Sequence, residues 1–130
     1  LLLLDAADTP GRRRRFPGLA FRPMVAAMST LRGPVSALAD ISRLAAERVG
    51  PWLREYEGYR GMFVFVDAEA GTSRLITFWN KAEDEERARA SRGAMRDQLA
   101  ATAGLEVVAF EVFEVVAHEL VPNDDSDRSP

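Results

Sequence analysis

Few side chains in this sequence of 130 residues are suited to catalysis, and the single histidine is the first of them. Histidine is the residue type whose unperturbed side chain titrates near neutral pH, so His118 is the candidate general base. The alternative is a structural histidine at a strand end, in solvent or at a subunit interface. The chain has no cysteine. Together these counts exclude a cysteine nucleophile, a thiolate metal site and a histidine cage within one chain, and we expect no metal site.

Three aromatic residues are the next candidates, because their spacing places them near one end of a predicted sheet. Tyr56 and Tyr59 flank a turn, and either hydroxyl could bond a substrate oxygen; Tyr59 is the second catalytic candidate. Trp79 closes an alternating run that also puts Leu75 and Thr77 on its face. The tryptophan is either a pocket wall or a core residue that closes a strand, and one residue can be both.

The polar residues after Trp79 favour a structural interpretation. Asn80 precedes an acidic helix start with Glu83 three residues on, which is close to a capping box. The run EDEERARASR, residues 83–92, is typical of a solvated helix face. It contains i,i+4 pairs of opposite charge, such as Glu85 with Arg89.

The elements that must position these residues follow the order β-α-β-β-α-β. MVAAMSTL, residues 24–31, is a short apolar strand, and a helix with apolar residues at every third or fourth position follows Pro34. Gly50 and Pro51 should bend or end that helix. Two β-rich runs within residues 62–79 form a hairpin, a second helix ends at Gly104, and LEVVAFEVFEVVAHEL, residues 105–120, is the last strand. The pattern predicts a ferredoxin-like α+β fold with a four-stranded antiparallel sheet.

Both faces of the predicted sheet are apolar. In the hairpin, Phe63 and Phe65 point to one face, and Met62, Val64 and Val66 point to the other. In the last strand, strict alternation separates two sets: Val108, Phe110 and Val112 on one face, Val107, Ala109 and Phe113 on the other. Two helices cover only one face of a four-stranded sheet, and the uncovered face would be a large apolar patch. We therefore expect a homodimer in which two such sheets pack face to face.

The chain divides into one folded domain and two polar ends. Residues 1–22 carry RRRR at 12–15 and are predicted to be a disordered basic leader, residues 23–121 the domain, and residues 122–130 a disordered tail. The net charge is −3, which argues against nucleic-acid binding. The opening LLLL is too short to cross a bilayer and precedes the arginines, unlike a signal peptide. We expect a cytoplasmic protein without a membrane partner.

Two stretches carry a resemblance to a known family. GYRGMFVFVDAEAGTSRLITFWNKAED, residues 58–84, and FEVFEVVAHEL, residues 110–120, are similar to the antibiotic biosynthesis monooxygenase-like domains of the dimeric α/β-barrel superfamily. The resemblance spans about residues 25–120 and implies a dimeric α/β barrel. It also implies a monooxygenase without a cofactor, in which an anthrone-like or quinol-like aromatic substrate loses a proton and the resulting anion reacts directly with oxygen.

The resemblance assigns roles to several of the candidates. Trp79 matches the tryptophan that lines the family pocket, and we expect Trp79, Thr77, Leu75, Tyr56 and Phe63 to bind substrate, with His118 and Tyr59 as catalytic residues. The best-known oxygenases carry an asparagine four residues before the tryptophan and a tyrosine six after it. Leu75 and Glu85 stand there in this chain. The alternative function is therefore a non-catalytic dimeric module of the same fold that binds a ligand or assists another protein.

Overall fold

The computed structural model describes residues 23–122, in which strands and helices alternate in the predicted order. The strands are β1 (Val25–Arg32), β2 (Tyr59–Asp67), β3 (Thr72–Trp79) and β4 (Glu106–Glu114). The helices are α1 (Val35–Leu44), a π-helical segment (Ala45–Val49), α2 (Gly50–Leu53) and α3 (Ala82–Ala103). This confirms the ferredoxin-like α+β fold. The predicted leader, and the predicted tail after Pro122, lie outside the described residues.

The strands form one antiparallel sheet in the order β2-β3-β1-β4. The helices cover one face, called the helix-covered face below, where Val25 and Leu31 of β1 pack with Leu38 and Leu53 in the core. The pleat of the strands turns the remaining side chains to the opposite face. That open face is defined by its large apolar residues, which are Met28, Phe63, Phe65, Ile76, Phe78 and Phe113. No helix between residues 23 and 122 is long and apolar enough to cross a membrane.

The first helical region changes its winding just before Pro51. The Gly50 N–H donates to the Ala45 carbonyl, five residues back, within the π-helical segment. Proline has no N–H and its ring crowds the preceding turn, so a wider turn lets the chain continue past Pro51. The predicted interruption at Gly50 and Pro51 is thus a local widening, and α2 carries Trp52 and Leu53 onto the sheet.

Helix α3 is continuous and is less solvated than its sequence indicates. It ends at Gly104, whose φ of 81° gives the left-handed cap that was predicted. At the other end the capping prediction for Asn80 is wrong, because Lys81 occupies the N-cap position without a side-chain hydrogen bond. The Asn80 Oδ1 instead accepts a 2.8 Å bond from Arg60 Nη1. The prediction of a solvated 83–92 face is also wrong for part of the run, since Asp84, Glu85 and Arg92 are buried.

The last strand differs from the prediction in length and in register. β4 ends at Glu114, so His118 lies in the irregular segment beyond it rather than in the strand. A register shift between Thr30 and Leu31 places a β-bulge opposite them in β4. The bulge pairs Val107 with Leu31 and packs it against the core, whereas strict alternation had placed Val107 on the other face.

Candidate functional site

Trp79 is a core residue held by one hydrogen bond and two aromatic contacts. Its side chain is fully buried, and its indole Nε1–H donates to Thr77 Oγ1 over 2.9 Å. Tyr56 and Tyr59 approach it edge-on, with ring centroids 6.5 and 5.6 Å away. Strand β3 dictates this arrangement, because residues two apart point to the same face. The Thr77 oxygen accepts the hydrogen bond from the indole N–H, so the Thr77 O–H is free to donate elsewhere.

A small, partly open cavity lies between the helix-covered face and the helices, beside Trp79. It has room for about one water molecule, at roughly 20 Å³. The large apolar residues around it are Leu31, Ile41, Val49, Trp52, Leu53, Leu75, Met95 and Leu99. Four polar side chains also line it: Ser29, Thr77, Arg92 and Arg96. An apolar enclosure with a few convergent polar groups is the usual make-up of a small-molecule site.

Three arginines of α3 lie over one aromatic ring next to this cavity. The guanidinium carbons of Arg89, Arg92 and Arg96 stand 5.8, 5.0 and 5.4 Å from the centroid of Phe110 on β4. Spacings of three and four residues place the three arginines on one side of the helix. The face of an aromatic ring attracts cations, so Phe110 helps to hold the row in place.

Glu85 is the buried partner of two of these arginines. One carboxylate oxygen bonds Arg92 Nη2, and Arg89 engages both oxygens. The Glu85 bond raises the pKa of the Arg89 guanidinium further above its usual range. Burial lowers the pKa of Arg92, against the pull of Glu85. The predicted Glu85–Arg89 pair is therefore confirmed, but as part of a buried network instead of a solvated surface pair.

The sequence-predicted substrate residues are divided between the two faces of the sheet. Leu75 and Thr77 line the cavity, and Trp79 stands directly behind Thr77. Tyr56 contacts both tryptophans, with its ring 5.0 Å from that of Trp52. Phe63 lies on the open face and lines a separate groove of about 400 Å³.

The two predicted catalytic residues do not line the cavity. His118 is exposed and shares the Phe63 groove with Arg60 and Glu119. Tyr59 opens onto another groove, of about 500 Å³, that contains Arg54. Burial raises the pKa of the Tyr59 hydroxyl, with Arg54 opposing the change, so Tyr59 is a hydrogen-bond donor at neutral pH. Within residues 23–122, no group of histidine and carboxylate side chains is arranged to hold a metal ion.

Apart from Leu75 and Thr77, the cavity residues were missed by the sequence analysis, among them Ser29, Trp52, Arg92 and Arg96. The available signal was the arginine spacing in α3, which puts Arg89, Arg92 and Arg96 on one side of a helix. It was interpreted as a solvated face because charge runs usually are. Phe110 on β4, to which the guanidiniums dock, is remote in sequence, so the local pattern could not reveal their burial.

The sequence matches no protein-family model and no curated protein. Solved structures do match. A Deinococcus radiodurans protein whose name assigns it to the antibiotic biosynthesis monooxygenases aligns at 14% identity and a TM-score of 0.58, covering 76% of this chain and 99% of its own. A Streptomyces coelicolor monooxygenase, from ActVA-Orf6 and in complex with nanaomycin D, aligns at 14% identity and a TM-score of 0.51, covering 78% and 94%. A Nitrosomonas europaea protein of unknown function, NE2512, aligns at 16% identity and a TM-score of 0.57, covering 78% and 98%.

Proposed function

We propose that this chain, which has the fold of the antibiotic biosynthesis monooxygenase-like proteins, is a cofactor-independent monooxygenase for a hydrophobic aromatic substrate of the anthrone or dihydroquinone class. The observation that carries the proposal is the apolar cavity between sheet and helices, with its few inward polar groups. A neighbour of the same fold holds the ligand nanaomycin D, and others are named monooxygenases. We place the substrate in this cavity.

Substrate binding requires the cavity to widen, because about 20 Å³ does not hold an aromatic ring. Ala45 and Val49 of the π-helical segment line it, and Trp52 of α2 lies beside them. π-Helical turns are rare and concentrate at functional sites. We assign the opening movement to the helical region 35–53, which separates from α3 to admit the ring.

The proposed reaction draws its electrons from the substrate alone. With an anthrone, the ring methylene loses a proton, the carbanion gives electrons to O₂, and one oxygen atom joins that carbon. Loss of water then leaves a carbonyl, so that CH₂ and O₂ become C=O and H₂O. The chain supplies a mostly apolar pocket and one donor, Thr77, whose oxygen accepts a hydrogen bond from Trp79 Nε1 and whose O–H can bond a substrate oxygen. Trp79 is a positioning residue in this scheme.

His118 and Tyr59 can act as catalytic residues only if they are brought to the cavity. Neither lines the cavity of its own chain. A base role for His118 needs the segment beyond β4 to reach a cavity mouth, by a movement or on a second copy of the chain. If His118→Ala leaves oxygen uptake unchanged, the proton passes to solvent instead.

We also propose that two copies associate through the open face. Phe63 and Phe65 are 43% and 52% exposed, and Phe63 is in contact with Phe65 and Phe78 at centroid distances of 6.0 and 5.7 Å. A contiguous aromatic surface on a sheet is costly in water. The open face of a second copy is equally apolar, so packing the two open faces together would bury both and form the α/β barrel. Sedimentation velocity tests this, and a monomer at micromolar concentration would contradict it.

Oxygen uptake tests the reaction. The purified chain is given anthrone or a dihydroquinone under air, and we expect enzyme-dependent oxygen consumption with one oxygen atom recovered in the product. Thr77→Val should lower kcat/KM by about 10- to 100-fold, as expected for the loss of one aimed donor. Thr102→Val, on an exposed turn of α3, is the matched control and should leave it unchanged. Absence of uptake with every aromatic substrate tested would contradict the proposal.

The second candidate is a binding module without turnover, and a specific observation favours it. Glu85 stands where the resemblance places a tyrosine, and its carboxylate is occupied by Arg89 and Arg92. Leu75 replaces the asparagine and has no polar group. Stoichiometric binding of an aromatic ligand without oxygen consumption would select this function.

A further inference from the structure

Arg92 is an unusual wall residue for an apolar cavity. Its side chain is 7% exposed, and it lines the enclosure. One terminal nitrogen is paired with Glu85, but the buried Nε–H has no acceptor among residues 23–122. Buried N–H groups are nearly always bonded, and leaving a charged one unpaired is expensive. A ligand atom beside the buried Nε–H of Arg92 would supply the missing acceptor.

The charges around Arg92 also do not balance. The buried Arg92 and the Arg89 side chain, which is 39% exposed, share one carboxylate, that of the buried Glu85. Arg96 pairs through its Nε with Asp97, whose side chain is 61% exposed and hence well screened by water. The cluster thus keeps an excess of positive charge inside the protein, where the opposite charge of a ligand has its largest effect.

Arg96 extends the same wall toward β1. Its side chain is 16% exposed, and its Nη1 donates a long 3.4 Å bond to Ser29 Oγ. Both guanidiniums lie over the Phe110 ring, with their central carbons 5.0 and 5.4 Å from its centroid, so the ring helps to hold them beside the cavity. Ser29, Arg92 and Arg96 are all lining residues, and apart from Thr77 the other lining residues are apolar.

We propose that Arg92 and Arg96, assisted by Ser29, form a carboxylate-binding subsite inside the cavity, and that the ligand is an aromatic carboxylic acid whose ring lies against Trp52 and Leu75. A planar guanidinium presents parallel N–H donors that match the two oxygens of a carboxylate. The small apolar enclosure favours this compact anion over a phosphate. The inference rests on the proposed function for the location of the site, and it adds the chemical class of the substrate.

Paired binding measurements test the subsite. Naphthoate and its neutral amide, naphthamide, have the same ring and nearly the same shape, and at about pH 7.5 only the acid is charged. Both tryptophans of the chain, Trp52 and Trp79, are at or beside the cavity, so quenching of their fluorescence reports occupancy. We expect naphthoate to bind about 10- to 100-fold more tightly than naphthamide, as for a charge-assisted hydrogen bond.

Two variants separate recognition from folding. Arg92→Lys keeps the charge and loses the Nε–H and the planar donors, while Arg96→Gln removes a partly accessible guanidinium and leaves the Glu85 network intact. In each we expect the preference for the acid to fall below about 3-fold. Arg43→Gln is the matched control, because Arg43 is exposed and pairs only with Asp40 and Glu47 in the described part of the chain. It should keep the full preference.

Three results would overturn the subsite: equal affinity for acid and amide, a preference unchanged in both cavity variants, or no quenching by either probe at millimolar concentration. Oxygen uptake on a dihydroquinone is measured on the same preparation. Turnover without any preference for the acid would overturn the subsite and leave the monooxygenase proposal standing. Preference for the acid without turnover would support the subsite and contradict the monooxygenase proposal.

Discussion

The two faces of the sheet are both apolar in sequence, but only one of them is covered by helices, and the buried polar groups lie on that side. Trp79 and Phe78 are neighbours in β3; the first is fully buried under the helices and the second belongs to the open face. The helix-covered face also encloses Thr77, Glu85 and Arg92. Burial of these polar groups is costly unless each has a partner. This difference is what we expect if the proposed ligand site lies on the covered face and the proposed dimer contact lies on the open face.

Alanine substitutions at Trp79 and Phe78 should give the largest difference in unfolding free energy between the two faces. Trp79→Ala should cost about 3–5 kcal/mol of unfolding free energy, because it leaves a large cavity and an unbonded Thr77. Phe78→Ala should cost less, and its cost should grow with protein concentration, because a second copy supplies its burial. Urea unfolding at several concentrations measures both. Equal costs that do not change with concentration would remove the distinction between the faces.

The network of Glu85, Arg89 and Arg92 should give the next largest effect on the unfolding free energy. Glu85→Gln removes the charge that Arg89 and Arg92 share, so it should cost about 3 kcal/mol. Glu86→Gln, next in the chain and exposed, should cost less than about 1 kcal/mol. Thermal or urea unfolding of the two variants compares them directly. Similar losses would mean that the network is screened by water like a surface pair.

Much of this architecture could be predicted from the sequence, because it depends on local periodicity. The alternation in β2 and β3 and the cap at Gly104 are short-range patterns, and the structure confirms them. The register of β4 could not be predicted in the same way. A bulge is fixed by the partner strand, and it moved Val107 to the core side against strict alternation.

The candidate site was harder to predict from the sequence than the fold was, for a related reason. Leu75 and Thr77 follow from strand alternation beside Trp79, and both line the cavity. Arg92 and Arg96 carry formal charges, and charge in a helical run normally indicates solvent. Their burial depends on the ring of Phe110, which the chain reaches only after α3 has ended. Tertiary context overrides the local pattern at this point.

The open face provides the next test, directed at association. Phe65→Arg places a charge on each copy at the proposed contact, so the dimer dissociation constant should rise about 30-fold or more. The stability of the separated chain should change little, since Phe65 is 52% exposed there. Ala68→Arg, in the exposed β2–β3 turn, is the control. An unchanged dissociation constant would move the interface away from this face.

The smallest expected effect concerns Tyr59, which lies where the aromatic cluster behind the cavity meets a solvent groove. Burial raises its pKa in the folded chain above the ordinary value of about 10, with Arg54 opposing the change. The stability linked to this proton is fully present below about pH 10 and is lost as pH rises through the folded-state pKa. Tyr59→Phe should therefore flatten part of the alkaline decline in unfolding free energy, while Arg54→Gln, which removes the opposing charge, should steepen it. Urea titrations between about pH 9 and pH 11 measure these slopes, and parallel slopes in all three proteins would show that the hydroxyl is hydrated in the folded chain.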